Sequence, residues 1–173
     1  MPNNIVEVTV TGLAMDERNQ SPVVILKENA GDRVLPIWIG EGEARAIALE
    51  LTGKKFSRPL THDLMMAMLE GLHARVERVV ISELKENTFF AVILLAKGAE
   101  FASIDARPSD SIALALRAKA AIFVADELLV AEGSEPGEGR PAPPPPPTEE
   151  ERAAELRRYL EGLDPEDFGK FNP

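Results

Sequence analysis

The chain opens on an alternation of apolar and polar residues. Val6, Val8 and Val10 are interleaved with Glu7, Thr9 and Thr11, the two-residue period of a half-buried strand. A polar loop over residues 14–21 leads to a second strand at residues 23–26. Turn chemistry at Asn29-Ala30-Gly31-Asp32 precedes a third strand at residues 34–39. Pro36 inside that strand has no N–H for a ladder, which predicts an edge position or a bulge. The period then lengthens. After Gly40-Glu41-Gly42-Glu43, the residues Ala44, Ile47, Ala48 and Leu51 fall on one helical face, with Gly53 as the stop. A second helix follows the loop of residues 54–59. Thr61 is its expected N-cap, His62 and Asp63 stand in its first turn, and Leu64, Met65, Met68, Leu69 and Leu72 are its expected buried face.

Two apolar strands at residues 76–84 and 88–96 are joined by Lys85-Glu86-Asn87, and Lys97-Gly98 turns the chain into a further strand that ends at Asp105. The stretch Ile104-Asp105-Ala106-Arg107-Pro108-Ser109-Asp110-Ser111 is a polar corner between that strand and the apolar run of residues 112–116. Pro108 suits a first helical turn, where its missing N–H costs nothing. The helix runs to about residue 120, a short buried strand occupies residues 122–124, and Asp126 begins a last helical turn. The pattern gives an α+β fold, a mostly antiparallel or mixed sheet with three main helices. Two helices are inserted after the third strand and one after the sixth.

Composition changes abruptly at Gly133, which divides the chain into a domain of residues 1–132, a linker of residues 133–148 and a tail of residues 149–173. The linker is nearly all Gly, Glu and Pro, with prolines unbroken over residues 143–147, an extended and disordered composition. Thr148-Glu149-Glu150-Glu151, where the linker meets the tail, is a capping box, and the tail carries Leu156, Tyr159, Leu160 and Leu163 in one helical stripe. This amphipathic C-terminal helix has three candidate partners: its own domain, a dimer mate, or another protein.

The net charge of −10 and the lack of a basic run argue against strong sequence-independent binding of nucleic acid. DNA or RNA remains a partner only through a local basic cleft. There is no cysteine, which excludes disulfides and thiolate metal sites. No apolar stretch is long enough to span a membrane, and the first residues lack a signal-peptide pattern, so the chain reads as cytoplasmic.

Candidate chemistry collects at strand-to-helix corners. Glu43, Arg58, His62, Asp63, Asp105, Arg107, Ser109 and Asp110 all fall there. Asp63, Asp105 and Asp110 are oxygen donors suited to Mg²⁺ or Mn²⁺. His62 exchanges a proton near neutral pH, and the same three aspartates are candidate bases. Arg58 and Arg107 suit a phosphate, which Ser109 and Glu43 would help to position. This is a set of parts for metal-assisted phosphodiester hydrolysis. The plain structural alternative is also physical. Acidic residues in first turns stabilise helices, and Arg107 suits a buried ion pair with Asp105 or Asp63. Arg107 buried with every donor paired would mark a structural knot. Lys54, Lys55 and Arg58 are an ordinary solvated cluster unless Phe56 among them serves as a single-strand platform. Zinc-protease, phosphate-loop and nucleophile-elbow motifs are missing.

Several segments in order resemble the bifunctional nuclease domain family. They are Leu35-Pro36-Ile37-Trp38-Ile39-Gly40 with Glu43-Ala44, Arg58-Pro59-Leu60-Thr61-His62-Asp63-Leu64, Thr88-Phe89-Phe90-Ala91, and Asp105-Ala106-Arg107-Pro108-Ser109-Asp110-Ser111-Ile112-Ala113. The resemblance spans about residues 5–131, and the ending Leu163-Asp164-Pro165-Glu166-Asp167-Phe168 looks like the tails of short bacterial members. It implies an α+β fold, often dimeric, and nuclease activity on DNA and RNA of the kind known for plant members. The leading reading is thus a metal-assisted nuclease of low specificity. The alternative is a non-enzymatic regulatory or protein-binding domain, whose Arg and Asp constellation is structural or holds a small anionic ligand.

Overall fold

A computed structural model describes residues 4–17 and 20–132. The linker and tail helix expected from the sequence lie outside the described residues. The chain forms β1 (Ile5–Met15), β2 (Pro22–Glu28), β3 (Arg33–Trp38), α1 (Glu41–Leu51), α2 (Thr61–Gly71), β4 (Arg75–Lys85), β5 (Thr88–Lys97), β6 (Glu100–Ala106), α3 (Pro108–Ala118), β7 (Ala121–Ala125), a 3₁₀ turn (Asp126–Leu128) and β8 (Val130–Ala131). This is the α+β class expected, with the helices inserted where the pattern put them.

The eight strands make one sheet in the order β6-β5-β4-β7-β1-β2-β3-β8. Every neighbouring pair is antiparallel except β4 and β7, which run parallel from Arg78 opposite Ala121 to Ile81 opposite Val124. The sheet is therefore mixed. Strand β8 pairs only with Arg33 and Val34, so Pro36 lies on an uncovered stretch of β3, where a missing N–H leaves no partner waiting. Strand β1 runs two residues into the expected polar loop, to Met15. It slips by one residue between Val10 and Gly12 and then continues against β2 to Met15. A similar slip between Val76 and Arg78 resets β4. Side chains alternate in a strand, so the extra residue moves the inward set from Val76 to Val79 and Ile81.

The core lies between the sheet and the helices. Leu26, Leu35, Ile47, Ile81, Ile112 and Leu114 are fully buried, and each contributes about 1.5–3 kcal/mol by leaving water. Helix α3 is buried along Ile112, Ala113, Leu114 and Ala115. It packs against α1, α2 and the strands β4, β5 and β7. Its alanines are small enough to let other helices approach.

Helix α2 departs from expectation. Leu64, Met65, Met68 and Leu72 are exposed, at 52%, 40%, 60% and 59%. Its inward side carries buried His62 with half-buried Met66 and Leu69, spaced i, i+4, i+7. Apolar residues surround this helix almost completely, so periodicity alone does not select a face. Thr61 is also not the cap. Leu60 holds that position, and the Asp63 carboxylate accepts the Leu60 N–H at 2.9 Å.

Candidate functional site at the helix N-termini

The first turns of the three helices meet. Each follows directly from a loop or strand end, which places Glu43 in α1, His62 in α2 and Asp110 in α3 within their first turns. Arg107 occupies the N-cap position of α3 in extended backbone, and from there it reaches sideways. Its Nη2 lies 2.9 Å from Glu43 Oε1, and its Nε donates to Asp110 Oδ2 at 2.8 Å. The other Asp110 oxygen, Oδ1, lies 3.1 Å from His62 Nε2. One continuous chain of contacts, Glu43–Arg107–Asp110–His62, thereby ties three N-termini together. Helix N-termini favour negative charge in their first turns, and Glu43 and Asp110 supply it here.

The electrostatics fix the roles within the chain. Burial pushes the Asp110 carboxyl up, but the hydrogen bonds from Arg107 and His62 outweigh it and hold the group below its ordinary value of 3.8. Asp110 is therefore an anion at neutral pH. An anionic acceptor facing Nε2 places a proton on that nitrogen and leaves Nδ1 as the acceptor in the neutral ring. Arg107 is the exposed member, its side chain 66% accessible. It is not the buried knot that the structural alternative requires.

That structural task belongs to Arg117, which the sequence reading did not single out. Its side chain is 7% exposed. Nε donates to Asp63 Oδ1 at 2.7 Å, Nη1 to the Ala113 carbonyl at 2.9 Å and Nη2 to the Ala46 carbonyl at 3.3 Å. One guanidinium thus bolts α3 to α2 and α1. The signal was present in outline, as a lone charge late in an otherwise apolar helix. The Arg117 hydrogen bond and the Leu60 N–H hold Asp63 well below the usual carboxylate range.

The proposed metal set is not gathered. Asp63 is engaged by Arg117 and Asp110 by Arg107 and His62, while Asp105 stands exposed on β6 opposite Val92. Among the described residues, no group of three His, Asp or Glu side chains is placed to hold a metal ion. Physically, each of the two helix aspartates has a cation in place, and strand alternation turns Asp105 away. Arg58 stands exposed in the α1–α2 loop, outside the chain of contacts. Ser109 is buried and lines a small cleft of about 260 Å³ with Trp38 and Arg107. The larger cleft, about 670 Å³, is walled by His62, Asp110, Arg107, Glu43, Arg45 and Arg117 among others. Arg107 borders both.

The depressed carboxyls make stability depend on acid. A group with a lowered folded-state pKa stabilises the fold above its unfolded value, and that contribution disappears as pH falls through the folded value. The unfolded values of Asp63 and Asp110 are near 3.8. The melting temperature should accordingly fall as pH drops from about 4 downward, and Asp63→Asn and Asp110→Asn should each flatten that decline. Thermal melts across acid pH check this, and a variant with the full wild-type acid slope would refute the assignment.

Comparison with known proteins finds relatives over most of this chain. The model of the bifunctional nuclease domain matches residues 24–136. An uncharacterized protein of Mycobacterium tuberculosis is 36% identical over 162 residues, covering 94% of this chain and 97% of its own. Bifunctional nuclease 1 of Arabidopsis thaliana is 29% identical over 130 residues, 70% of this chain and 40% of the plant protein. Bifunctional nuclease 2 of the same plant is 27% identical over 116 residues, 65% of this chain and 35% of its own.

Proposed function

The chain belongs to the bifunctional nuclease domain family, and on that premise we propose that it hydrolyses phosphodiester bonds at the Glu43–Arg107–Asp110–His62 corner. The observation that carries this reading is the contact between His62 Nε2 and Asp110 Oδ1 at 3.1 Å, beside an exposed arginine on a cleft wall. A diester phosphate displaces the weak exposed contact between Arg107 and Glu43, and binds the guanidinium in the field of three helix N-termini. Asp110 orients the imidazole, so that Nδ1 can take a proton from an attacking water. The water oxygen bonds to phosphorus, the bond to one sugar oxygen breaks, and that oxygen leaves with a proton from solvent. Recognition through the phosphate carries no sequence information, which supports low specificity toward DNA and RNA. The described residues supply no three-ligand metal site, so no step is assigned to a metal. Mg²⁺ commonly needs only one or two carboxylates when substrate phosphates complete its shell, and dependence on Mg²⁺ or Mn²⁺ belongs to the test.

One observation favours the non-enzymatic alternative: each carboxylate of the corner already has a cationic or imidazole partner. In that reading the corner holds a small anion without cleaving it. Degradation of single-stranded DNA and RNA by wild type and Arg107→Ala, each with Mg²⁺, Mn²⁺ or EDTA, separates the two. Loss of a charge-assisted contact to phosphate should slow cleavage about 10- to 100-fold. Absence of cleavage by wild type under every condition, or equal cleavage by a folded Arg107→Ala, would refute the nuclease reading of this site.

A further inference from the structure

The cleft beside the corner has a neighbour. A second cleft, about 490 Å³, is lined by Lys54, Lys55 and Phe56 and shares Leu49, Pro59, Leu60 and Arg117 with the first. The two are separated by no more than the walls they share. Phe56 is the feature that needs an explanation. A phenylalanine in a short loop ordinarily turns its ring into the core, yet this one is 45% exposed. Of the aromatic side chains among the described residues, it is the one in a loop rich in cations. The Lys54 ammonium lies 5.9 Å from the ring centroid, Lys55 lines the same cleft, and Arg58 follows in the same loop.

We propose that Phe56, flanked by Lys54 and Lys55, is a stacking subsite for a nucleobase next to the phosphate held at Arg107, which directs the protein to single-stranded polynucleotide. This rests on the nuclease reading of the corner and adds to it a place for the flanking nucleotide. An exposed aromatic ring accepts any base, because every base has a π-face. A base stacked in a duplex has no free face to offer, so the subsite discriminates by strandedness and not by sequence. Lys54 and Lys55 then meet the backbone phosphates. Glu50 and Glu70 also border this cleft. They disfavour phosphate along the wall that they occupy and keep it on the lysine side. The clefts have Leu49, Pro59, Leu60 and Arg117 as a common wall, so a strand laid across that wall would reach from the ring to Arg107.

The test is binding of fluorescein-labelled oligothymidylate of about eight nucleotides to the full-length protein in EDTA, followed by anisotropy, with a duplex of the same length alongside. Wild type should bind the single strand more tightly than the duplex. Phe56→Ala should weaken single-strand binding about 5- to 100-fold, Phe56→Trp should retain it, and Lys54→Ala should lower the dependence on salt. Thermal melting confirms the fold of each variant, and Phe56→Leu, which keeps the apolar bulk without the ring, should behave as Phe56→Ala. If wild type binds and Arg107→Ala weakens binding while Phe56→Ala does not, the subsite is refuted and the nuclease reading stands. If wild type binds neither single strand nor duplex, in EDTA or with Ca²⁺ added as a stand-in for Mg²⁺, both fall.

Discussion

His62→Ala is expected to lower phosphodiester cleavage by about 10²- to 10⁴-fold, the usual contribution of a positioned general base, in protein whose fold is checked by thermal melting. Asp110→Asn should fall in the same range for a different reason. An amide in place of the carboxylate can donate to His62 Nε2 as well as accept from it, so it no longer sets the ring's tautomer. It also loses the charge that holds Arg107 Nε at 2.8 Å. The two losses should be less than additive in His62→Ala/Asp110→Asn, because both residues serve one proton transfer and only the hold of Asp110 on Arg107 is separate. Initial rates on a single-stranded oligonucleotide measure all three variants. Additive losses would show that the two residues act separately, contrary to the 3.1 Å contact between them.

The largest loss of stability outside the apolar core should come from Arg117→Ala. The Arg117 side chain is nearly buried while that of Asp63 is 39% exposed. The pair therefore lies between a buried ion pair, where removing one partner costs about 3–5 kcal/mol, and a surface one, worth less than about 1 kcal/mol. An expected loss of about 2–3 kcal/mol follows, much of it from leaving the Ala46 and Ala113 carbonyls and the Asp63 carboxylate without their donor. Arg117→Lys should recover little, since one ammonium cannot reproduce a fork reaching three helices. Urea unfolding of both variants at neutral pH provides the measurement. A change within about 0.5 kcal/mol of wild type, the range of an ordinary surface substitution, would contradict the bolt.

These two arginines show where the sequence was readable and where it was not. Arg107 and Asp110 stand three apart at a helix start, a spacing that allows contact, yet the expected partners of Arg107 were Asp105 or Asp63, and the structure pairs it with Asp110 and Glu43 instead. The sheet order could not be read so directly, since β7 pairs with β1 and β4, distant segments that carry no mark of their pairing. Alternation and turn residues placed seven of the eight strands. Strand β8, of two residues, is too short to show a period. The partner of His62 lies 48 positions away, and nothing local announces it. What local chemistry did show was that each corner residue opens a helix, and helix openings can gather on one rim. Arg117 was overlooked because a cation in a last turn already has an ordinary explanation in the helix dipole. Asp105 was included because it sits two residues before Arg107. Being in the strand and not in the helix, it follows strand alternation and points away from the site.

Helix α2 teaches a related point. Its exposed Leu64, Met68 and Leu72 made the stronger hydrophobic stripe, yet the face turned inward is the one that carries His62. The pair with Asp110 and the Arg117–Asp63 bridge both pull on that face. Polar contacts at one end of a helix can set its rotation when apolar residues are available all round.

The central claim is that a phosphodiester binds where the three helices begin. The most direct measurement is an amide ¹H–¹⁵N spectrum of the full-length protein titrated with thymidylyl-thymidine, the smallest DNA diester, in EDTA. The account predicts saturable shifts centred on Glu43, His62, Arg107, Ser109 and Asp110, and their loss in Arg107→Ala. Shifts centred elsewhere, for instance around the Glu28–Arg33–Asp126 ion-pair cluster at the other end of β3, or shifts unchanged by Arg107→Ala, would contradict it.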